Sequence, residues 1–145
     1  TNPADFRRYT TRKFKFNFGS DVPLIRTAEM ILIDAEALAR TPGKEAEAHD
    51  LLYALQKNRD VNAVKSTNTG AALIDEILLE RRKELYAENG VEWFDAKRLR
   101  KGITRTGNHR IFKNLSADDK RFFLKVPQSE IDANESIDDT VNKDR

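Results

Sequence analysis

The chain has 145 residues, which is long enough for one hydrophobic core without disulfides or a structural metal. Hydrophobic residues make up 39% and charged residues 34%, a balance that favours exposed helices around a modest core. The formal net charge of +2 is too small to indicate a nucleic-acid or membrane partner, and the lack of cysteine excludes disulfides, thiolate nucleophiles and cysteine-based zinc sites.

The first predicted element is a short strand. Residues 13–18 alternate polar and aromatic residues with a period of two, which places three phenylalanines on one face. A helix is predicted next, with Pro23 in its first turn and Thr41-Pro42-Gly43 at its end. Its apolar residues recur at spacings of three and four and are Leu24, Ala28, Ile31, Leu32, Ala35, Leu38 and Ala39.

A second amphipathic helix is predicted directly after this turn and ends at Asn58-Arg59. Its apolar stripe consists of Ala48, Leu51, Leu52 and Leu55. Because only a tight turn separates the two helices, we expect them to form an antiparallel hairpin.

A loop and a third helix follow the hairpin. Residues 60–70 are rich in Asn, Ser, Thr and Gly, which predicts a connecting loop. The third helix is expected from about Ala71 to Glu88, with Asn89-Gly90 as its stop signal. A short helical segment is predicted for residues 93–99.

The C-terminal part of the chain is uneven in charge. Residues 97–125 carry ten Lys or Arg against two Asp, a local net charge of +8. Within this stretch we predict an irregular basic loop at residues 102–121, and residues 122–126 are a candidate strand. Residues 133–145 are expected to form a polar, acidic tail on the surface.

Taken together, these elements predict a mainly α fold of tetratricopeptide-like stacked helical hairpins, with long irregular loops and at most short strands. The hairpin spacing is near the ~34-residue period of tetratricopeptide repeats, although the signature residues of that repeat are not legible. We also expect the sequence to be part of a longer protein, because it starts without a Met and without the apolar stretch of a signal peptide.

One charged residue falls inside an apolar stripe. On the third helix Arg81 occupies the spacing set by Ile74, Leu78 and Leu85, and a buried guanidinium requires a carboxylate partner. The candidate partners are Glu29, Glu36, Glu84, Glu88 and Asp95. The alternative is an acid/base or anion-binding site built from Arg81, Glu80 and Glu84, and we favour the structural ion pairs because such carboxylates are common on charged helices.

The remaining candidate residues are aromatic rings and histidines. Trp93 follows a helix stop beside Phe94, and we favour a core anchor over an exposed platform for stacking a sugar ring. His49 and His109 lack partners at the spacing of a metal site or a nucleophilic triad, so surface positions are expected. We therefore predict no catalytic residue, no metal ligand and no cofactor.

The basic stretch 97–125 has phenylalanines interleaved with its cations, a combination that can bind nucleic acid. No recognition motif surrounds it, and the acidic tail can neutralise it, so we expect a solvated loop and no nucleic-acid partner.

Three sequence blocks, in this order, resemble the SusD/RagB family. Residues 22–37 (VPLIRTAEMILIDAEA) are similar to the family helix P-L-x-R-x-A-E-x-x-L-x-x-A-E-A. Residues 77–98 (ILLERRKELYAENGVEWFDAKR) are similar to E-R-R-x-E-L-x-x-E-G-x-R-W-F-D-x-x-R, with departures at Asn89 and Glu92. Residues 126–132 (VPQSEID) are similar to the closing I-P-x-x-E-I.

The resemblance implies that residues 1–145 are a C-terminal helical fragment of a longer, lipid-anchored outer-membrane protein whose anchor lies outside the fragment. Such a protein binds glycans or other nutrients, acts with a TonB-dependent (SusC-like) transporter and is not an enzyme. Members with different ligands share the motif containing Arg81, Glu84 and Trp93, so these residues are expected to be scaffold, and no substrate-binding residue can be assigned. The alternatives are a helical-repeat scaffold for protein–protein interaction and, less favoured, a hydrolase.

Overall fold

The structure is a computed structural model that describes Lys13 and residues 21–106 and 114–143. The phenylalanines of the predicted strand at 13–18, together with His109, lie outside the described residues. The chain divides into two compact units, of which the first contains residues 19–92 and the second contains the described residues from Trp93 onward.

The first unit is built from three helices. They are α1 (Thr27–Ala39), α2 (Glu45–Lys57) and α3 (Gly70–Glu84), and α1 packs against both of the others. The turn between α1 and α2 makes them a helical hairpin, as the sequence predicts. The core between the three helices consists of Ala28, Leu32, Ala35, Ala39, Ala48, Leu52, Leu55, Leu73 and Ile77.

The first helix begins later than Pro23, so this boundary was wrong. α1 starts at Thr27, and the side chain of Leu24, which was expected in the stripe, is 78% exposed. The reason is tertiary: the Asn89 side-chain amide donates hydrogen bonds to the carbonyls of Pro23 and Leu24, at 2.9 and 3.0 Å, and these carbonyls are therefore held outside the helix.

The third helix is shorter than expected and presents a different face. It ends at Glu84 instead of Glu88, because Ala87 and Asn89 adopt positive φ angles of 58° and 45° that an α-helix does not tolerate. The fully buried apolar residues are Leu73 and Ile77, whereas the predicted Ile74 and Leu78 are only half-buried. Arg81, in contrast, is buried as the pattern indicates.

The second unit contains most of α4 (Val91–Arg98), a 3-10 turn at Lys120–Phe122, α5 (Gln128–Ala133) and a 3-10 turn at Asp139–Asn142. The strand proposed for residues 122–126 was wrong. The Asp119 carboxylate accepts a hydrogen bond from the backbone N–H of Arg121 at 2.9 Å and initiates the first 3-10 turn, which leaves Phe122 buried.

The described residues contain no β-strand, and the mainly α prediction is confirmed. They contain one isolated antiparallel bridge, between Ile103 and Leu115 in the predicted basic loop. Gly102 adopts a φ of +66° beside this bridge, where a Cβ atom would lie 2.3 Å from the Leu115 carbonyl oxygen, so glycine is needed for the close approach. The Asn142 side chain bonds the backbone of Val126 through both its oxygen and its nitrogen, each at 2.9 Å, and holds the tail in place.

Candidate functional site

A carboxylate at the end of α3 binds two arginines from distant parts of the chain. Arg59, which follows α2, donates from Nε and Nη2 to the two carboxylate oxygens of Glu84, both at 2.9 Å. Arg26, which precedes α1, donates from Nη1 to Glu84 Oε1 at 2.8 Å. The Glu84 side chain is only 9% exposed, so a desolvated carboxylate joins the ends of all three helices of the first unit.

Arg26 also closes the C-terminal end of α3. Its Nη2 donates to the Glu84 backbone carbonyl at 2.7 Å, and its Nε donates to Glu88 Oε2 at 2.9 Å. The last carbonyls of a helix have no partner within the helix, so this guanidinium satisfies one of them while it forms ion pairs with two acids. We refer to Arg26, Arg59, Glu84 and Glu88 as the ion-pair cluster.

The cluster shifts the pKa values of its members. The hydrogen bond from Arg59, opposed by desolvation and reinforced by Arg26, lowers the pKa of Glu84 from 4.5 to about 2. Burial tends to lower the pKa of Arg26, but its hydrogen bonds to Glu84 and Glu88 raise it above the ordinary value. The bond to Glu84 likewise raises the pKa of Arg59. All three groups therefore stay charged at neutral pH.

We expect this cluster to make the free energy of unfolding depend on pH in the acid range. A carboxyl group whose pKa is lowered in the folded state stabilises that state fully above its unfolded pKa, here 4.5, and the contribution disappears as pH falls to about 2. In urea denaturation at a series of pH values, the difference in unfolding free energy between the wild type and Glu84→Gln should therefore shrink across this window. A difference that stays constant down to the acid limit would contradict the assigned charge of Glu84.

Arg81 lies in the last turn of α3 and is 7% exposed. Its Nη2 donates to Glu29 Oε1 on α1 at 3.0 Å, so Glu29 is one of the predicted partners that the structure brings to it. Among the other candidates, Glu36 accepts two hydrogen bonds from Arg40, at 2.9 and 2.8 Å, and Asp95 accepts one from Arg98 at 2.9 Å. The Arg81–Glu29 pair links α3 to α1, whereas the Glu36–Arg40 and Asp95–Arg98 pairs each lie along a single helix.

An open cleft of about 470 Å³ lies next to the cluster. It is lined by Gln56, Arg59, Asp60, Ala63, Val64, Glu80, Lys83 and Glu84. Glu80 is 7% exposed, forms an ion pair with Lys83, and accepts a longer hydrogen bond from Gln56 at 3.4 Å. The two carboxylates of the hydrolase alternative, Glu80 and Glu84, therefore both line this cleft, each engaged with neighbouring donors.

The loop at the edge of this cleft is fastened by polar side chains. Glu76 on α3 accepts hydrogen bonds from Asn68, at 2.7 Å, and from the Ser66 hydroxyl. Burial raises the pKa of Glu76, but these hydrogen bonds outweigh it and the pKa is lowered overall. A ring nitrogen of His49 lies 2.7 Å from the Asn68 carbonyl oxygen, which gives this half-buried histidine a role in fixing the loop.

Sequence reasoning missed both arginines of the cluster. From the sequence, Arg59 was assigned only to the end of the second helix. Arg26 was assigned no role, although it occupies the arginine position of the first matched block. The position of Arg26 in that block was the one feature of the sequence that could have indicated its importance. Pairing it with Glu84, 58 residues away, needs the tertiary structure.

The aromatic pair in the second unit is divided between interior and surface. Trp93 is half-buried and packs on Phe122 with ring centroids 4.8 Å apart and an interplanar angle of 48°. Phe94, the next residue, is 62% exposed. Consecutive residues of a helix point about 100° apart, and α4 can bury only one of them against Phe122.

The model of the SusD family matches residues 7–142, and the three blocks of the resemblance fall within that span. The chain belongs to the SusD family. SusD-family proteins are nutrient-binding proteins, and they are typically lipoproteins associated with the outer membrane. Neither the curated proteins nor the solved structures gave a significant match to this SusD-family chain. In the part of the chain that the structure describes, no helix is long and apolar enough to cross a membrane.

Proposed function

We propose that this chain belongs to the nutrient-binding component of an outer-membrane uptake system, with an oligosaccharide or another nutrient as its ligand. Its partner would be a TonB-dependent, SusC-like transporter, and the complete protein would be held at the membrane by a lipid anchor. The observation that carries this proposal is the SusD-family match over residues 7–142. Tetratricopeptide-like stacking of the α1–α2 hairpin with further hairpins belongs to the same proposal.

The geometry of the carboxylates favours binding over hydrolysis. A general acid at neutral pH needs a raised pKa, whereas the pKa of Glu84 is lowered to about 2 by two guanidinium partners. Glu80, its neighbour in the cleft, is engaged with Lys83 and Gln56. In this proposal the charged residues of the second matched block hold the helices, and the ligand contacts the exposed surface.

A second candidate, a scaffold that binds another protein, is favoured by one specific observation. Five large apolar side chains near the start of the first unit are exposed: Val22, Leu24, Ile25, Met30 and Ile33. An apolar surface of this kind is typical of protein contacts. A transporter partner would use the same surface, so the two candidates differ in whether a small ligand also binds.

Calorimetric titration of the chain with a panel of oligosaccharides tests this proposal. We expect saturable binding of at least one sugar, and no release of reducing ends during prolonged incubation. Hydrolysis that disappears in Glu80→Gln or Glu84→Gln would instead support the enzyme. The sequence upstream of Thr1 gives a second test, because the proposal requires a lipoprotein signal ending in a cysteine, and a cytoplasmic start would contradict it.

A further inference from the structure

The second unit carries a group of exposed apolar and basic side chains that its fold does not use. Phe94, Phe123 and Leu124 are 62%, 52% and 83% exposed, and Lys97 and Lys125 are exposed beside them in sequence. We call these five residues the phenylalanine–lysine patch.

Two observations place members of the patch together. Lys97 Nζ lies 4.6 Å from the centroid of the Phe123 ring, so α4 and the segment after the 3-10 turn meet at this point. Phe94 and Lys97 are three residues apart on α4, which puts them on the same face of the helix. The Lys97 ammonium group is thus held by a cation–π contact with the exposed Phe123 ring, and Phe94 lies on the same face of α4.

The neighbouring arginines differ from these lysines because they are neutralised within the unit. Arg98 pairs with Asp95 at 2.9 Å, Arg100 with Asp118 at 2.5 Å, and Arg121 with Asp119 at 2.6 Å. Within residues 21–106 and 114–143, no ion pair to an acid is formed by Lys97 or Lys125. The positive charge left at the patch is therefore sparse and lies beside aromatic rings.

We propose that the phenylalanine–lysine patch binds an acidic oligosaccharide, with sugar rings packed on Phe94 and Phe123 and their carboxylate or sulfate groups paired with Lys97 and Lys125. This inference rests on the proposed function and specifies the chemical class of its ligand. Aromatic faces suit the C–H surfaces of sugar rings, and ammonium groups suit anions carried at intervals along a chain.

Charge density favours an acidic sugar over a nucleic acid. A nucleic acid carries one phosphate per nucleotide, and its binding requires a run of available cations along the backbone. In the second unit three arginines are already paired with aspartates, which breaks up such a run. An acidic oligosaccharide with spaced charges needs only the separate lysines. A membrane surface is also less suitable, because α4 is only 8 residues long and offers few apolar side chains for insertion.

The test compares short oligogalacturonates with uncharged cello-oligosaccharides of equal length, by titration of the full chain. We expect the acidic sugar to bind more tightly and its affinity to fall with added salt. The double variant Lys97→Gln/Lys125→Gln should weaken binding roughly fivefold, and Phe94→Ala roughly threefold or more. Matched controls are Lys44→Gln/Lys57→Gln, which removes the same charge from the first unit, and Leu79→Ala, which removes an apolar side chain that is 56% exposed there.

The other outcomes are distinguishable. Equal affinity for charged and uncharged sugars, unchanged in the lysine variant, would overturn this inference and leave the proposed function standing. Binding of neither sugar class would count against both. Binding of a single-stranded oligonucleotide, or of vesicles containing an anionic phospholipid, without binding of oligogalacturonate would overturn the inference in favour of a different polyanion. Circular dichroism of each variant shows whether a lost affinity reflects lost folding.

Discussion

Replacing Glu84 by glutamine is expected to lower the free energy of unfolding by about 2–4 kcal/mol, and Tm by roughly 5–15 °C. The carboxylate accepts guanidinium hydrogen bonds from Arg26 and Arg59, and its loss leaves two cations facing each other at the ends of three helices. A fully buried pair would cost more, but the Arg59 side chain is 51% exposed and water compensates part of the loss. Urea and thermal denaturation followed by circular dichroism measure the effect.

The matched control for this variant is Glu47→Gln. Glu47 also pairs with a cation, Lys44, but its side chain is 55% exposed, so the expected cost is below about 1 kcal/mol. If Glu84→Gln were as mild as Glu47→Gln, the ion-pair cluster would not hold the helices of the first unit together.

Replacing Ile77 by alanine is expected to destabilise the fold by about 2–5 kcal/mol, because this side chain is completely buried between α3 and α1 and its removal leaves a cavity. Leu78→Ala at the next position should cost about 1 kcal/mol, since Leu78 is only half-buried. Chemical denaturation of both variants gives their free energies of unfolding and shows which substitution costs more.

The two variants also distinguish the buried face of α3 in the structure from the face that the sequence spacing predicts. The spacing of Ile74, Leu78 and Leu85 places Leu78 in the stripe, whereas the packing of α3 against α1 places Ile77 there. A larger loss at Leu78 than at Ile77 would mean that α3 is rotated relative to the described fold.

Most helix positions in the first unit could be predicted because their signals are local. Apolar spacing of three and four residues identified α1 and α2, and Thr41-Pro42-Gly43 identified the turn between them. One error occurred where a distant side chain decides the backbone. The start of α1 depends on Asn89, which holds the carbonyls of Pro23 and Leu24 out of the helix.

The candidate site could be predicted only in part. A buried Arg81 with carboxylate partners followed from its place in an apolar stripe, because a desolvated guanidinium needs them. The choice of Glu29 did not follow, since several acids had comparable positions. The phenylalanine–lysine patch could not be predicted from the sequence. Lys97 and Lys125 differ from the nearby arginines only because those arginines pair with aspartates, and this pairing is visible only in the tertiary structure.

The sequence by itself determined the helical class, the first hairpin and, through the order of three blocks, membership of the SusD family. Periodicity, turn residues and block order are all properties of neighbouring residues, so no packing is needed to read them. Only the tertiary structure decided which face of α3 is buried, since a change of one residue rotates that face by about 100°. It alone also joined Arg26 to Glu84 across 58 residues, because such a contact depends on how the helices pack.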